Sequence, residues 1–322
     1  MEPHKTLIKR LAEAATSDSD RGERATPAKV AKFLSQEANI IQCLFGENTS
    51  KRMHQVRQLP AWFTLLGKSS YPYAEEDFMR IWKGLLHTIR MSEKPQDREE
   101  LVEQAAQMVD SFGGNTTLSL AYFSAFMRTT SEEHSGVKLK RLDKWVLMLV
   151  RRMLRHVLRV FKRTKWSAEL IGAFNKSMQK SVFSEKPKSH GLIVHYLSIF
   201  FEELAKEANG DITAAQVSTF LLPFVKYMAT QKDGQLLNQC RAKVLYYLLY
   251  QSDLGRKSLK KKIISPDPLV GKVDWKLSVL PVNPDYVLDE LNNLLSTSKF
   301  NPRRRKSLCN LIQLYETYKS AN

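Results

Sequence analysis

The chain reads as an all-α protein, a HEAT-like helical-hairpin solenoid with a C-terminal extended arm, and three observations predict this. Hydrophobic residues recur with a period close to 3.6 almost everywhere up to about residue 252. Gly (13) and Pro (12) are scarce in 322 residues, which favours long regular elements over the many turns of an all-β sandwich. Paired helical segments return every forty-odd residues, the spacing of a repeat in which each pair buries its face on its neighbours. The period is loose, so a compact helical bundle stays open as the alternative.

Three regions follow one another. Residues 1–26 form a short basic segment, with an amphipathic stretch at Lys5–Ala15 and a polar linker at Thr16–Thr26. Residues 27–252 form the helical-repeat domain. Thr26-Pro27 is a cap followed by proline at the first helical position, and this first helix should stop at Gly46-Glu47-Asn48. The next covers about Ser50–Leu66. A third, about Ala74–Met91, carries Phe78, Ile81, Trp82, Leu85 and Ile89 on one face, and Glu75, Glu76 and Asp77 in its first turn suit the positive end of the helix dipole.

Further helices are predicted at about Gln96–Phe112, Thr117–Thr130, Leu139–Thr164, Ser167–Phe183, Leu192–Ala208, Ala214–Thr230 and Gln235–Gln251. Asp211–Ser252 is the clearest repeat: a cap at Thr213, an apolar helix containing Pro223, a short turn and a second apolar helix. Residues 253–322 form a basic, proline-containing arm. It has a basic run at Gly255–Lys262, an extended stretch at Ile263–Pro284 with four prolines, and terminal helices at Asp285–Ser296 and Arg303–Lys319. The arm either packs back on the repeats or orders only on a partner, and the first is the expectation.

Charge is the first functional clue. Fifty Lys plus Arg against 33 Asp plus Glu leave a formal charge of +17; nucleic acid is the usual partner of so basic a folded protein, whereas solubility alone is better served by acids. The charge is also segregated. Between Ser70 and Ser135 eleven acids face six bases, whereas between Lys138 and His190 fifteen bases face three acids, a local balance of +12. In the helix Leu139–Thr164 the residues Leu142, Trp145, Val146, Leu149, Met153, Val157 and Val160 trace the buried face. Arg151, Arg155, Arg159 and Lys162 follow at spacings of four, four and three, which puts them in one stripe, flanked by Arg152, Arg163 and Lys165.

Such a row can meet successive phosphates, with the bidentate geometry of arginine added. The competing reading is a solvated face, or one paired to acidic protein surface. Two more clusters are candidates for phosphate contact or nuclear import: Lys260, Lys261 and Lys262, beside Arg256 and Lys257, and Arg303, Arg304 and Arg305 with Lys306. None of these patterns reads base sequence, since phosphate contacts position a protein without specifying it.

Catalytic and cofactor signatures are missing from the sequence. Cys43, Cys240 and Cys309 lie far apart and fit small buried hydrophobes. The seven histidines form no HExxH, and His190 and His195 are five apart, off a shared helix face. Gly113-Gly114 lacks the Lys-Ser/Thr of a phosphate loop. Neither a metal site, a cofactor nor a small-molecule substrate is indicated. The apolar runs, such as Val146–Val150 and Leu245–Tyr250, are too short for a bilayer span, so no membrane partner is expected.

Four blocks carry a resemblance. They are Asp77-Phe78-Met79-Arg80-Ile81-Trp82-Lys83-Gly84-Leu85-Leu86 with Met91-Ser92-Glu93-Lys94-Pro95; Arg141-Leu142-Asp143-Lys144-Trp145 leading to Arg151-Arg152; Gly191-Leu192 through His195-Tyr196-Leu197 to Phe201-Glu202-Glu203-Leu204; and Leu222-Pro223-Phe224 with Ala229-Thr230-Gln231-Lys232-Asp233. Together they span about Asn39–Ser252 in order and resemble the ribosomal RNA processing protein 1 family, the nucleolar Nop52 type. The resemblance implies a helical-repeat fold, a nucleolar assembly factor for the large ribosomal subunit, precursor ribosomal RNA and other assembly factors as partners, and no catalytic residues. It also makes the Trp82-Lys83-Gly84 and Leu142-Asp143-Lys144 motifs structural, with Gly84 allowing close helix approach. A functional tail like that of many family members is not expected here.

The expectation is therefore a non-catalytic nucleolar factor that binds precursor RNA and proteins. A protein-interaction adaptor without RNA contact is the first alternative, and a nuclease or RNA-modifying enzyme the second.

Overall fold

The computed structural model describes residues 27–69, 73–186, 189–251, 277–297 and 300–320, and among them every regular element is a helix. The segments Lys5–Ala15 and Thr16–Thr26, the Gly255–Lys262 run with Lys260, Lys261 and Lys262, and most of the stretch after it lie outside the described residues. The chain divides into two compact units, Met1–Thr129 and Thr130–Asn322.

The first unit holds α1 (Pro27–Phe45), α2 (Thr49–Gly67), α3 (Glu75–Met91), α4 (Pro95–Gln107) with a 3-10 turn at Met108–Asp110, and most of α5 (Thr116–Glu133). Local chemistry sets the ends. Asn48 caps α2 through a hydrogen bond from the Lys51 amide, Asp77 accepts from the Ala74 amide at the start of α3, and Pro95 opens α4. Arg52 is buried and donates to the carbonyls of Gly46 and Glu47 at 2.7 Å, tying the end of α1 to α2.

In this unit α1 packs on both α2 and α3, and α2, α3 and α4 all pack on one another. Thr88 of α3 donates to the Leu44 carbonyl of α1, forty-four residues earlier. Trp82 of α3 donates through Nε1 to the Tyr122 carbonyl of α5, forty residues later. Trp82 is fully buried, with its ring 4.6 Å from Phe126. A Cβ on Gly84 would lie 2.8 Å from Cβ of Leu44, so glycine permits the α1–α3 contact as the motif implied. Around these helices Phe63, Phe78, Phe112 and Tyr122 form a buried aromatic cluster with ring centroids 4.8–5.8 Å apart.

The second unit contains a 3-10 turn at Leu139–Arg141, α6 (Lys144–Arg163), α7 (Ala168–Lys180), α8 (His190–Ala208), α9 (Ala214–Thr230), α10 (Gly234–Cys240), a π-helical stretch at Arg241–Tyr246, α11 (Tyr247–Gln251), α12 (Pro284–Thr297) and α13 (Pro302–Ser320). The helix expected from Leu139 starts five residues later. Asp143 adopts extended backbone and accepts from the Trp145 amide, a cap that ends the 3-10 turn and starts α6. The helix expected over Gln235–Gln251 is likewise interrupted, by the π-helical stretch.

Here alternate helices stack, α6 on α8 and α7 on α9. His195 to Leu147, Arg155 to Glu203 and Arg159 to Glu207 are all separated by 48 residues. A constant offset means that α6 and α8 run parallel, as the first helices of consecutive hairpins do. Pro223 inside α9 cannot donate to the Thr219 carbonyl, and Asn175 of α7 supplies the donor instead, at 2.7 Å. A Cβ on Gly191 would lie 2.8 Å from the Leu139 amide nitrogen, so glycine lets α8 start against the 3-10 turn. The helices α12 and α13 pack on each other, α12 also on α9, and Tyr315 donates to the Leu245 carbonyl. The terminal helices are thus part of this unit.

Candidate nucleic-acid interface

The predicted stripe lies along α6 where α6 meets α8, and it faces acids. Glu202, Glu203 and Glu207 of α8 stand opposite Arg151, Arg155 and Arg159 as rungs of a ladder. Arg151 Nη2 is 3.0 Å from Glu202 and its Nε 3.5 Å from Glu203; Arg155 Nε is 3.0 Å from Glu203; Arg159 Nε is 3.1 Å from Glu207. Lys206, one turn along α8, joins Glu202 at 2.5 Å and Glu203 at 3.4 Å. Glu203 is the centre: its side chain is 0% exposed and touches three cations, whereas Arg151 and Arg155 keep 35% of their side-chain surface and Arg159 45%. The cost of burying this side chain is offset by those three cations and their hydrogen bonds.

The fourth stripe residue has another task. Lys162 Nζ donates to the Glu207 carbonyl at 3.0 Å and is 3.4 Å from that of Ala208, so it closes the C-terminus of α8, where a cation meets the negative end of the helix dipole. The flanking cations are placed differently. Arg152 is half-buried, and Arg163 and Lys165 are exposed. Lys165 and Trp166 both take positive φ (52° and 58°) in the turn after α6. Trp166 is buried, its amide donates to the Phe161 carbonyl, and Gln216 of α9 donates to the carbonyls of both residues. The turn is pinned from inside while Lys165 stays in water.

His195 lies beside the ladder. Its Nε2 donates to the Leu147 carbonyl at 2.9 Å, and burial together with the Arg151 charge holds its pKa below the usual histidine value despite that bond. In the first unit, Arg80 of α3 similarly binds Glu37 of α1 at 2.5 Å and Asp77 at 3.0 Å. Burial pushes the Glu37 carboxyl above its ordinary value against the pull of Arg80.

Of the C-terminal cluster, Arg303 and Arg304 stand in the first turn of α13, and Arg305 and Lys306 are exposed there. The structure therefore separates the candidate residues into a ladder within the protein, a rim at the end of α6 and the start of α13. Sequence reasoning missed Glu202, Glu203, Lys206 and Glu207. Their signal was present: Glu203 and Glu207 repeat the four-residue step of Arg155 and Arg159 at the repeat offset.

Among the described residues no group of three or more His, Cys, Asp or Glu is placed to hold a metal ion. His190 Nδ1 approaches only Asp233, at 3.9 Å. Cys240 is buried, while Cys43 and Cys309 are partly exposed. No described helix is long and apolar enough to cross a membrane.

Comparison with known proteins fits this architecture. The family described as "Nucleolar protein, Nop52" matches residues 35–269. The chain is 49% identical to the ribosomal RNA processing protein 1 homolog of Drosophila melanogaster, over 99% of this chain and 52% of that protein. It is 27% identical to the human ribosomal RNA processing protein 1 homolog A, over 73% of this chain and 51% of that protein. The Caenorhabditis elegans ribosomal RNA processing protein 1 homolog is 24% identical over 88% of this chain and 68% of its own length. The chain thus spans about half the length of the fly and human relatives. On the family match and on the near-complete alignment with the fly protein, the chain belongs to the Nop52 family of nucleolar proteins, and its compartment is the nucleolus.

Proposed function

We propose that this chain acts in ribosome biogenesis as a non-catalytic assembly factor for the large subunit, holding precursor ribosomal RNA and neighbouring factors while separate enzymes process the RNA. The observation that carries the reading is the +12 concentrated between Lys138 and His190, in a chain whose relatives are named for ribosomal RNA processing. The ladder divides the labour among these cations. Arg151, Arg155 and Arg159 hold α6 to α8 and present only their outer edges, and Lys162 caps α8. Phosphate contact is assigned to the exposed Arg163 and Lys165 at the end of α6 with the half-buried Arg152 nearer its middle, to Lys260, Lys261 and Lys262, and to Arg303, Arg304 and Arg305.

A grip of this kind is electrostatic and steepens with every phosphate engaged: the logarithm of affinity for single-stranded RNA falls with that of salt by about 0.7 per contact. Replacing Arg163 and Lys165 by Gln tests the assignment. RNA affinity should fall and the salt slope should flatten by about 1.4 for two lost contacts, with the melting temperature unchanged. An unaltered slope removes these residues from the interface. Depletion of the protein should accumulate unprocessed large-subunit precursor RNA; normal precursor levels would refute the reading.

One observation favours a second reading. The stripe that looked most like an RNA surface in the sequence is largely neutralised by α8, as expected of a protein-interaction adaptor whose cations are structural. Such an adaptor would show no salt-dependent RNA binding at all.

A further inference from the structure

A cleft of about 670 Å³ opens in the second unit between α10 and α13. Half of its lining residues carry amide or hydroxyl groups, among them Asn238, Ser307 and Asn310, and two, Arg241 and Lys306, are cations. Arg241, the first residue of the π-helical stretch, is held in place: its guanidinium donates to the Ser307 hydroxyl of α13 and lies 5.4 Å from the centre of the Tyr246 ring. The acid in the lining, Asp233, already accepts from the Gln235 and Leu236 amides as the cap of α10. An apolar recess that includes Phe300 adjoins the cleft and shares Asn238, Arg241 and Ser307 with it.

The start of α13 supplies an independent argument. Its first turn contains Arg303, Arg304, Arg305 and Lys306 and no acid. Cations at the positive end of a helix dipole destabilise the helix, and a bound anion there reverses the sign. A lone phosphate is far smaller than the space available, which falls in the range of organic ligands. Side-chain amides offer both donors and acceptors, the complement of an exposed base edge.

We propose that this cleft seats one unpaired nucleotide of an RNA strand, its phosphate on Arg241 and Lys306 and its base among the amides of Asn238 and Asn310 beside Phe300. The neighbouring phosphates follow the cationic first turn of α13. The inference rests on the RNA-binding reading above and adds to it the site and the preference for single-stranded over duplex RNA.

The test measures fluorescence anisotropy of a labelled single-stranded RNA of about ten nucleotides, a length comparable with known single-strand sites, and of the blunt duplex of the same sequence. Both are titrated with the full chain and with the double variant Lys306→Glu, Asn310→Leu. The two residues are exposed on α13, and an unchanged melting curve verifies the fold. The variant should lose about tenfold or more in affinity for the single strand, the scale of one lost charge-assisted hydrogen bond, and much less for the duplex. If the wild type binds both RNAs and the variant keeps its single-strand affinity, the cleft is not the site, while the RNA-binding reading stands. If the wild type binds neither RNA, that reading falls and the cleft assignment falls with it. A phosphoserine peptide bound by the wild type and lost in the variant, with RNA affinity unchanged, would also overturn the proposal in favour of a protein ligand.

Discussion

Truncating Glu203 to Ala is the sharpest perturbation of the second unit. The carboxylate has no exposed surface and meets Arg151, Arg155 and Lys206 within 3.5 Å. Removing one member of a fully buried pair costs about 3–5 kcal/mol. Arg151 and Arg155 keep 35% of their side-chain surface in water and can turn outwards, so the loss is discounted to about 2–3 kcal/mol. For a unit of the size of Thr130–Asn322, melting falls by about 2–4 °C per kcal/mol, which gives roughly 5–10 °C by circular dichroism. Glu203→Gln keeps the volume but not the charge and should lose about half as much. Glu185→Ala, at an exposed position, should stay within about 0.5 kcal/mol. A cycle with Arg155→Ala should return a coupling of at least about 0.5 kcal/mol, since the two groups are in contact. If Glu203→Ala melts like Glu185→Ala, the ladder does not hold α6 to α8, and the argument that its arginines are committed within the protein fails.

Other consequences follow from the same geometry. His195 is held below its unfolded pKa of about 6.5, so below that pH the unfolded chain binds a proton that the folded chain refuses. The histidine's contribution is intact above about pH 6.5 and is lost as pH falls through the window down to the folded pKa; thermal melts should show a steeper acid loss for the wild type than for His195→Asn. Asn175→Leu removes the donor that satisfies Thr219 where Pro223 cannot, and should cost about 1–3 kcal/mol in denaturant titration; a smaller loss would mean that water replaces the amide. Arg80→Met strands Glu37 and Asp77, both under 6% exposed, and should cost about 3–5 kcal/mol, with stability recovering toward acid pH as the Glu37 carboxyl, already raised by burial, protonates. Gly191→Ala drives a methyl to 2.8 Å from the Leu139 amide nitrogen and should cost about 1–3 kcal/mol by overpacking; a neutral result would show that the 3-10 turn yields.

The helices and their apolar faces were legible in the chain because both depend on local pattern. Apolar residues at the helical period select a buried face, and Thr213 and Pro27 mark helix starts through groups close to them in the chain. Even the repeat spacing was visible, and it reappears as the offset of 48 between α6 and α8. The misjudged start of α6 shows the limit of pattern. Leu139 and Leu142 continue the apolar period, but the Asp143 cap and the close approach of Gly191 divide the segment.

The candidate site divides the same way. From the residues alone, Arg151, Arg155 and Arg159 are a stripe of cations, and a cation's partner is decided by what lies within about 4 Å. Glu203 is 48 positions downstream of Arg155, and only the parallel stacking of consecutive hairpins brings the two together. Arg241 and Lys306, 65 positions apart in the chain, line one cleft only because α13 packs back within the second unit. The amino-acid sequence by itself determined the helical class, the family and the sign and location of the charge. Tertiary structure decided which charges are paired inside the protein and which lie exposed at its surface, because Coulomb attraction and desolvation act across space and not along the chain.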